Sequence, residues 1–222
     1  VSELGGSPID AVIFDCDGTL VDSEPILLQA LADEAGALDP AASFTEGELL
    51  ALKGQRMSYS MDVVARKLGR ALPADFEARA RARMAPVFRE RLQPIPGAIE
   101  LLRALKVPYC VASNGPLHKM QITLAVTGLL PLLEGRIFSA YAVGSFKPDP
   151  GLFLHAARAL DVRPERCAVV EDSLPGIEAG LAAGMTVYAL PAAAPLPEAW
   201  AARVLRLDSL EALAAAAWNR GT

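Results

Sequence analysis

The chain has 222 residues and a mass of 23.4 kDa, enough for one α/β domain with a modest insertion or for two small domains. Its 52% hydrophobic and 21% charged residues, with mean hydropathy +0.29, exclude a disordered chain and imply a sizeable core. A net charge of −5 opposes nucleic-acid binding, and the short run Arg79, Arg81, Arg83 reads as a solvated helix face rather than a phosphate track.

In chain order, Val1 to Pro8 carries neither a basic nor an apolar signal region, so the cytoplasm is the expected location. The run Ala11-Val12-Ile13-Phe14 is short, apolar and β-branched, as a strand covered on both faces should be, and it ends abruptly at Asp15. Ser23 to Leu92 then shows helical apolar spacing at Ile26/Leu27/Ala30/Leu31, Leu49/Leu52, Met61/Val64/Ala65/Leu68 and Phe76/Ala80/Met84/Val87, without a convincing strand. An all-α insertion over 23–92 is therefore expected above the carboxyl end of a sheet, with the chain returning through Pro94-Ile95-Pro96-Gly97.

Beyond it, helices are predicted over 98–105, 117–126, 150–160 and 174–183. They alternate with strands at Tyr109-Cys110-Val111-Ala112, Cys167-Ala168-Val169-Val170 and Thr186-Val187-Tyr188-Ala189. This alternation predicts a Rossmann-like, doubly wound parallel sheet formed by 1–22 and 93–222. The uncharged stretch Ala179 to Pro197 is broken by glycines and prolines and fits no membrane span; Ala192 to Trp200 reads as a loop leading into a helix. Cys16, Cys110 and Cys167 cannot all pair and sit in or beside apolar runs, which suits a reducing compartment.

Three predicted strands end in polar residues: Asp15-Cys16-Asp17, Ser113-Asn114-Gly115 and Glu171-Asp172. Ligands of open parallel sheets bind beyond such carboxyl ends. Asp15 and Asp17, two residues apart, point the same way on extended backbone, and Cys16 should face away from them into packing. Convergence of Asp15, Asp17, Glu171 and Asp172 opposite the cation of Lys147 requires a further positive charge; an oxygen-only donor set favours Mg²⁺ over zinc. His118 and His155 fall in separate helices and read as surface or packing residues.

Taken in order, Asp15-x-Asp17-Gly18-Thr19, Ser113-Asn114-Gly115, Lys147-Pro148-Asp149-Pro150 and Glu171-Asp172-Ser173 resemble the four motifs of the haloacid dehalogenase-like superfamily, along nearly the whole chain. The insertion resembles that superfamily's C1 cap, and Leu20-Val21-Asp22-Ser23-Glu24 resembles its β-phosphoglucomutase and sugar-phosphatase branch. The resemblance implies Asp15 as the nucleophile forming an aspartyl-phosphate, and Asp17 as general acid and then base. It further implies phosphoryl contacts from Ser113 and neutralisation of charge by Lys147. Mg²⁺ would be held by Asp15, the Asp17 carbonyl and Asp172, with Glu171 direct or through water. Asn114 and Gly115 would border the substrate, and Lys53 or Arg56, in the interhelix loop Leu52-Lys53-Gly54-Gln55-Arg56, would read its leaving group.

The implied activity is hydrolysis of a small phosphorylated metabolite, a sugar or sugar-acid phosphate, by a monomer working without nucleic acid or membrane. A β-phosphoglucomutase-like isomerase shares every core residue and stays open. It usually carries a cap histidine where Ile26-Leu27-Leu28 stands, and a lysine after a Ser-Ala-Ser where this chain has Asn114-Gly115. A dehalogenase would not be expected to carry Asp17, and a non-enzymatic module would not be expected to keep four chemically intact motifs.

Overall fold

A computed structural model describes residues 8–52, 57–191 and 195–215. The first strand, β1 (Ala11–Phe14), is followed by helices α1 (Glu24–Leu38), α2 (Glu46–Leu50), α3 (Met57–Leu68) and α4 (Phe76–Arg91). There follow α5 (Ala98–Ala104), β2 (Tyr109–Ser113), α6 (Leu117–Val126), α7 (Leu130–Leu133), β3 (Ile137–Ser139), α8 (Ala140–Val143) and α9 (Gly151–Ala159). The chain continues through β4 (Cys167–Glu171), α10 (Leu174–Ala182), β5 (Thr186–Ala189), β6 (Val204–Arg206) and α11 (Leu210–Ala215). It divides into two compact units, Val1–Asp22 with Gln93–Thr222, and Ser23–Leu92.

The first unit is an α/β structure built on a parallel six-stranded sheet in the order β3-β2-β1-β4-β5-β6. Ile13 in β1 lies opposite Cys110 of β2 and Val169 of β4. Successive residues of a strand face opposite sides of the sheet. Ala11, Ile13, Cys110, Ala112, Cys167 and Val169 thus pack in one cluster with Leu152 and Phe153 of α9 and Ile177 of α10, while Val12 and Phe14 are fully buried on the other side. A sheet covered on both faces explains why β1, β2 and β4 are continuous apolar runs rather than alternating ones. The order reverses across β1 and β4, so the crevice of this topology opens beyond Phe14 and Glu171.

Two strands add to those predicted, β3 and β6, one at each sheet edge. The Ala/Pro-rich segment closes on a 3₁₀ turn, Glu198–Trp200, and leads first into β6, the expected helix coming only after it as α11; residues 192–194 lie outside the described set. Among the described residues no helix is long and apolar enough to cross a membrane.

The second unit contains four helices among its described residues, and its buried stripe is shifted slightly from the predicted one. Leu28 is buried where Leu27 is half-buried, and Phe88 where Val87 is half-buried. The arginine run also needs correction as a merely solvated face. Arg79 and Arg83 each place Nε 2.7 Å from one oxygen of the buried Glu34 carboxylate on α1, while Arg81 pairs with Glu77 on its own helix. These cations are engaged by carboxylates of their own unit.

Candidate active site

The strand β1 delivers Asp15 to its carboxyl end, and the Asp15 N–H continues the ladder by donating to Val170 O at 3.0 Å. The chain then folds back sharply. Gly18 donates to Val21 O, and Leu20 and Val21 both donate to Cys16 O. This turn requires Gly18 twice over: its φ is +83°, and a Cβ there would lie 2.1 Å from Asp172 Oδ2. Thr19, next in the turn, donates from Oγ1 to Asp172 Oδ1 at 2.7 Å, so the first segment holds the last in place.

Lys147 sits inside this crevice. Its Nζ lies 2.5 Å from Asp15 Oδ1, 2.6 Å from Glu171 Oε1 and 4.7 Å from the centroid of the Phe153 ring beneath it. Glu171 is completely buried; its Oε2 accepts from Asp172 N, Ser173 N and Ser173 Oγ, at the opening of α10. The buried glutamate therefore fixes the ammonium from behind, and Asp15 faces it from the front.

The end of β2 adds the second motif. Ser113 is buried, with its Oγ accepting from Gly115 N at 3.0 Å, and a Cβ on Gly115 would lie 3.7 Å from Asp17 Oδ2. Ser113 and Gly115 thus stand beside the Asp17 carboxylate. Asn114 behaves differently from the sequence expectation of a substrate contact: both ends of its amide are bonded to the backbone of Lys147. Lys53 and Arg56 lie outside the described residues. Cys16 is fully buried, with burial and then the nearby Asp17 and Asp15 pushing its thiol well above the ordinary range, so it packs. His155 meets Phe138 edge-on and His118 is exposed.

One lysine escapes the sequence reading. Lys119 Nζ reaches Asp17 Oδ1 at 2.8 Å and Oδ2 at 2.7 Å, which corrects the tally of one cation against four carboxylates. A signal for it exists: Lys119 stands in the first turn of α6, where the helix dipole disfavours a cation unless an anion faces it.

The remaining imbalance is visible in the acids. Burial pushes the Asp15 carboxyl up to about 7, with Lys147 pulling it down and Glu171 and Asp17 adding repulsion. Burial, then Glu171 and Asp15, raises Asp172 well above the usual carboxylate range. Lys147 is itself raised: its burial opposes the charge, but Asp15 and Glu171 outweigh it. One oxygen from each of Asp15, Glu171 and Asp172 lies within 4.8 Å of the others, an all-oxygen set of the kind hard divalent cations take. The residues present therefore fit Mg²⁺.

The model of the haloacid dehalogenase-like hydrolases matches residues 9–184, spanning β1 to the end of α10 and with it every acidic and basic group just described. The chain belongs to the haloacid dehalogenase-like hydrolases. Within this family it is 41% identical over 187 residues to the 6-phosphogluconate phosphatase of Escherichia coli K12, covering 82% of each chain. A hydrolase of the family from Deinococcus radiodurans, solved with bound phosphate and sodium, superposes with a TM-score of 0.75 at 35% identity, over 94% of this chain and 95% of the other. A structure described as a putative β-phosphoglucomutase from Thermotoga maritima gives 0.74 at 26% identity, over 94% and 98%. The helical unit Ser23–Leu92 is inserted in the chain between β1 and α5.

Proposed function

We propose that this hydrolase is a Mg²⁺-dependent phosphatase of small phosphorylated metabolites, sugar or sugar-acid phosphates, acting through an aspartyl-phosphate. The observation that carries it is the pairing of two aspartates with two separate lysines at one sheet crevice, Asp15 with Lys147 and Asp17 with Lys119. The 6-phosphogluconate phosphatase relative points to a sugar-acid phosphate. In this reading 1–22 and 93–222 are the catalytic core, 23–92 is the C1 cap, and Lys53 and Arg56 contact the leaving group.

Asp15 attacks phosphorus, and the bond to the leaving oxygen breaks as Asp17 delivers a proton to it. Asp17, now a carboxylate, takes a proton from water; the water oxygen attacks the phosphorus of the aspartyl-phosphate, releasing inorganic phosphate and restoring Asp15. Lys147 offsets the repulsion between carboxylate and phosphoryl oxygens, and Ser113 and Gly115 border the phosphoryl group on the Asp17 side. Mg²⁺ would be held by Asp15, Asp172 and the Asp17 carbonyl, with Glu171 direct or through water, and would neutralise phosphoryl charge.

The test is release of inorganic phosphate from a panel of 6-phosphogluconate, hexose phosphates, nucleoside monophosphates and p-nitrophenyl phosphate, with Mg²⁺ and with EDTA. Phosphate released from the sugar-acid and sugar esters, and abolished by EDTA, supports the reading. Rearranged phosphosugar without free phosphate would establish the isomerase instead, and turnover unaffected by EDTA would remove the metal.

A further inference from the structure

Asp17 leaves β1 into a turn, with its side chain partly open to water, 28% exposed. A carboxylate so placed can rotate away from a leaving group or towards Asp15, whose charge it already repels. Acid–base work at a fixed oxygen needs that rotation stopped.

The structure supplies a restraint. Lys119 grips both carboxylate oxygens of Asp17, at 2.8 and 2.7 Å. Its own mount is rigid: Lys119 N donates to Pro116 O, Gly115 N to Ser113 Oγ, and Ser139 Oγ donates to Gly115 O at 2.8 Å. The loop before α6 is thereby tied to the ends of β2 and β3. A Cβ on Gly115 would lie 3.7 Å from Asp17 Oδ2 and 3.9 Å from Lys119 Cδ, so the lysine stem and the carboxylate lie side by side over this glycine. The first turn of α6 has no acidic residue, and a cation there runs against the dipole. Pairing with Asp17 offsets that cost.

We propose that Lys119 is a positioning residue for Asp17, holding its carboxylate aimed at the leaving oxygen and apart from Asp15, just as Lys147 holds Asp15. The inference rests on the phosphatase reading for its kinetic consequences but not for the geometry it asserts. A competing role, direct binding of a second anionic group on the substrate, predicts different numbers.

The experiment is a cycle of Lys119→Met and Lys119→Arg, each alone and with Asp17→Asn, assayed with Mg²⁺ on 6-phosphogluconate and on p-nitrophenyl phosphate. If Lys119 acts through Asp17, Lys119→Met lowers kcat on the alkyl ester about 10- to 100-fold, a part of the roughly 10²–10⁴-fold that general acid–base catalysis supplies. It leaves KM unchanged, costs the aryl ester much less because its leaving group needs little protonation, and costs almost nothing further on Asp17→Asn. Lys119→Arg, which keeps a two-pronged donor, restores most of the rate. Equal losses with and without Asp17, or a raised KM at constant kcat, would overturn the proposal in favour of substrate binding. A crystal structure of Lys119→Met reads the geometry without turnover. A displaced Asp17 carboxylate supports the proposal and an unmoved one overturns it, even if wild-type protein hydrolyses none of the panel and the phosphatase reading itself falls.

Discussion

Asn114 clasps Lys147 by the backbone: its Oδ1 accepts from Lys147 N at 2.9 Å and its Nδ2 donates to Lys147 O at 3.2 Å. The two residues are brought together by the ends of β2 and of the loop after α8, so the clasp joins the second motif to the third. Each bond contributes about 1 kcal/mol net, and 1.4 kcal/mol corresponds to about tenfold in rate. Asn114→Ala should therefore lower kcat about tenfold by loosening Lys147, with KM little changed. A loss confined to KM would return Asn114 to a substrate contact, and steady-state kinetics on 6-phosphogluconate separates the two.

Two helical glycines should respond in opposite directions to alanine. At Gly176 a Cβ would lie 1.7 Å from Glu171 Oε1 and 1.9 Å from its Cδ, a clash with a buried carboxylate that also holds Lys147. Gly176→Ala should cost about 2–3 kcal/mol of stability by overpacking and remove most of the activity. At Gly36, inside α1, an added Cβ meets nothing within 4 Å and the backbone carries no positive φ, so Gly36→Ala should gain about 0.5–1 kcal/mol. Urea unfolding of both variants checks the contrast.

The reach of the sequence follows from what each residue's signal depends on. β1, β2 and β4 are legible because strands buried on both faces are apolar runs that stop at polar residues, and β5 because Thr186-Val187-Tyr188 is β-branched and aromatic. β3 and β6 are not: each has three residues at a sheet edge, and Ser139 in one and Arg206 in the other leave only two apolar residues in a row. Asp15, Asp17, Ser113, Glu171 and Asp172 announce themselves by lying at or just beyond strand ends, and Lys147 by Pro148 and Pro150, which stiffen the turn that follows it. Lys119 does not, because it belongs to a helix and meets Asp17 at a separation of 102 residues. Asn114 was legible as a site residue but not in its orientation, which depends on where the Lys147 backbone comes to lie.

Replacing Asp15, the proposed nucleophile, should separate activity from folding. Asp15→Asn leaves an amide that does not attack phosphorus and holds Mg²⁺ poorly, so turnover should fall by several orders of magnitude. Stability without metal should hold or rise, since a buried charge beside Glu171 and Asp17 is removed while Lys147 keeps Glu171 at 2.6 Å. Melting temperature and rapid-quench phosphoenzyme measurements check both halves; more than a tenth of wild-type activity would refute the assignment.

Metal binding should depend on pH with a definite sign. Asp15 is raised from 3.8 to about 7 by burial, against the pull of Lys147, and Asp172 is raised too. Between about pH 4 and pH 7 the unfolded chain has released the Asp15 proton and the folded chain has kept it, so folded protein binds more protons and stability falls as pH rises. Asp172 acts in the same direction, and Lys147, raised further, stays charged throughout. A divalent cation binds the ionised carboxylates and must displace those protons at low pH, so Mg²⁺ affinity should increase with pH across this window. Metal-stripped protein should lose stability between about pH 4 and pH 7 through these groups, and millimolar Mg²⁺ should raise the melting temperature more at the upper pH than at the lower. Asp15→Asn should flatten much of the pH dependence and most of the Mg²⁺ response. Thermal unfolding of both proteins, with and without Mg²⁺, provides the test, and a Mg²⁺ response that shrinks as pH rises would refute it.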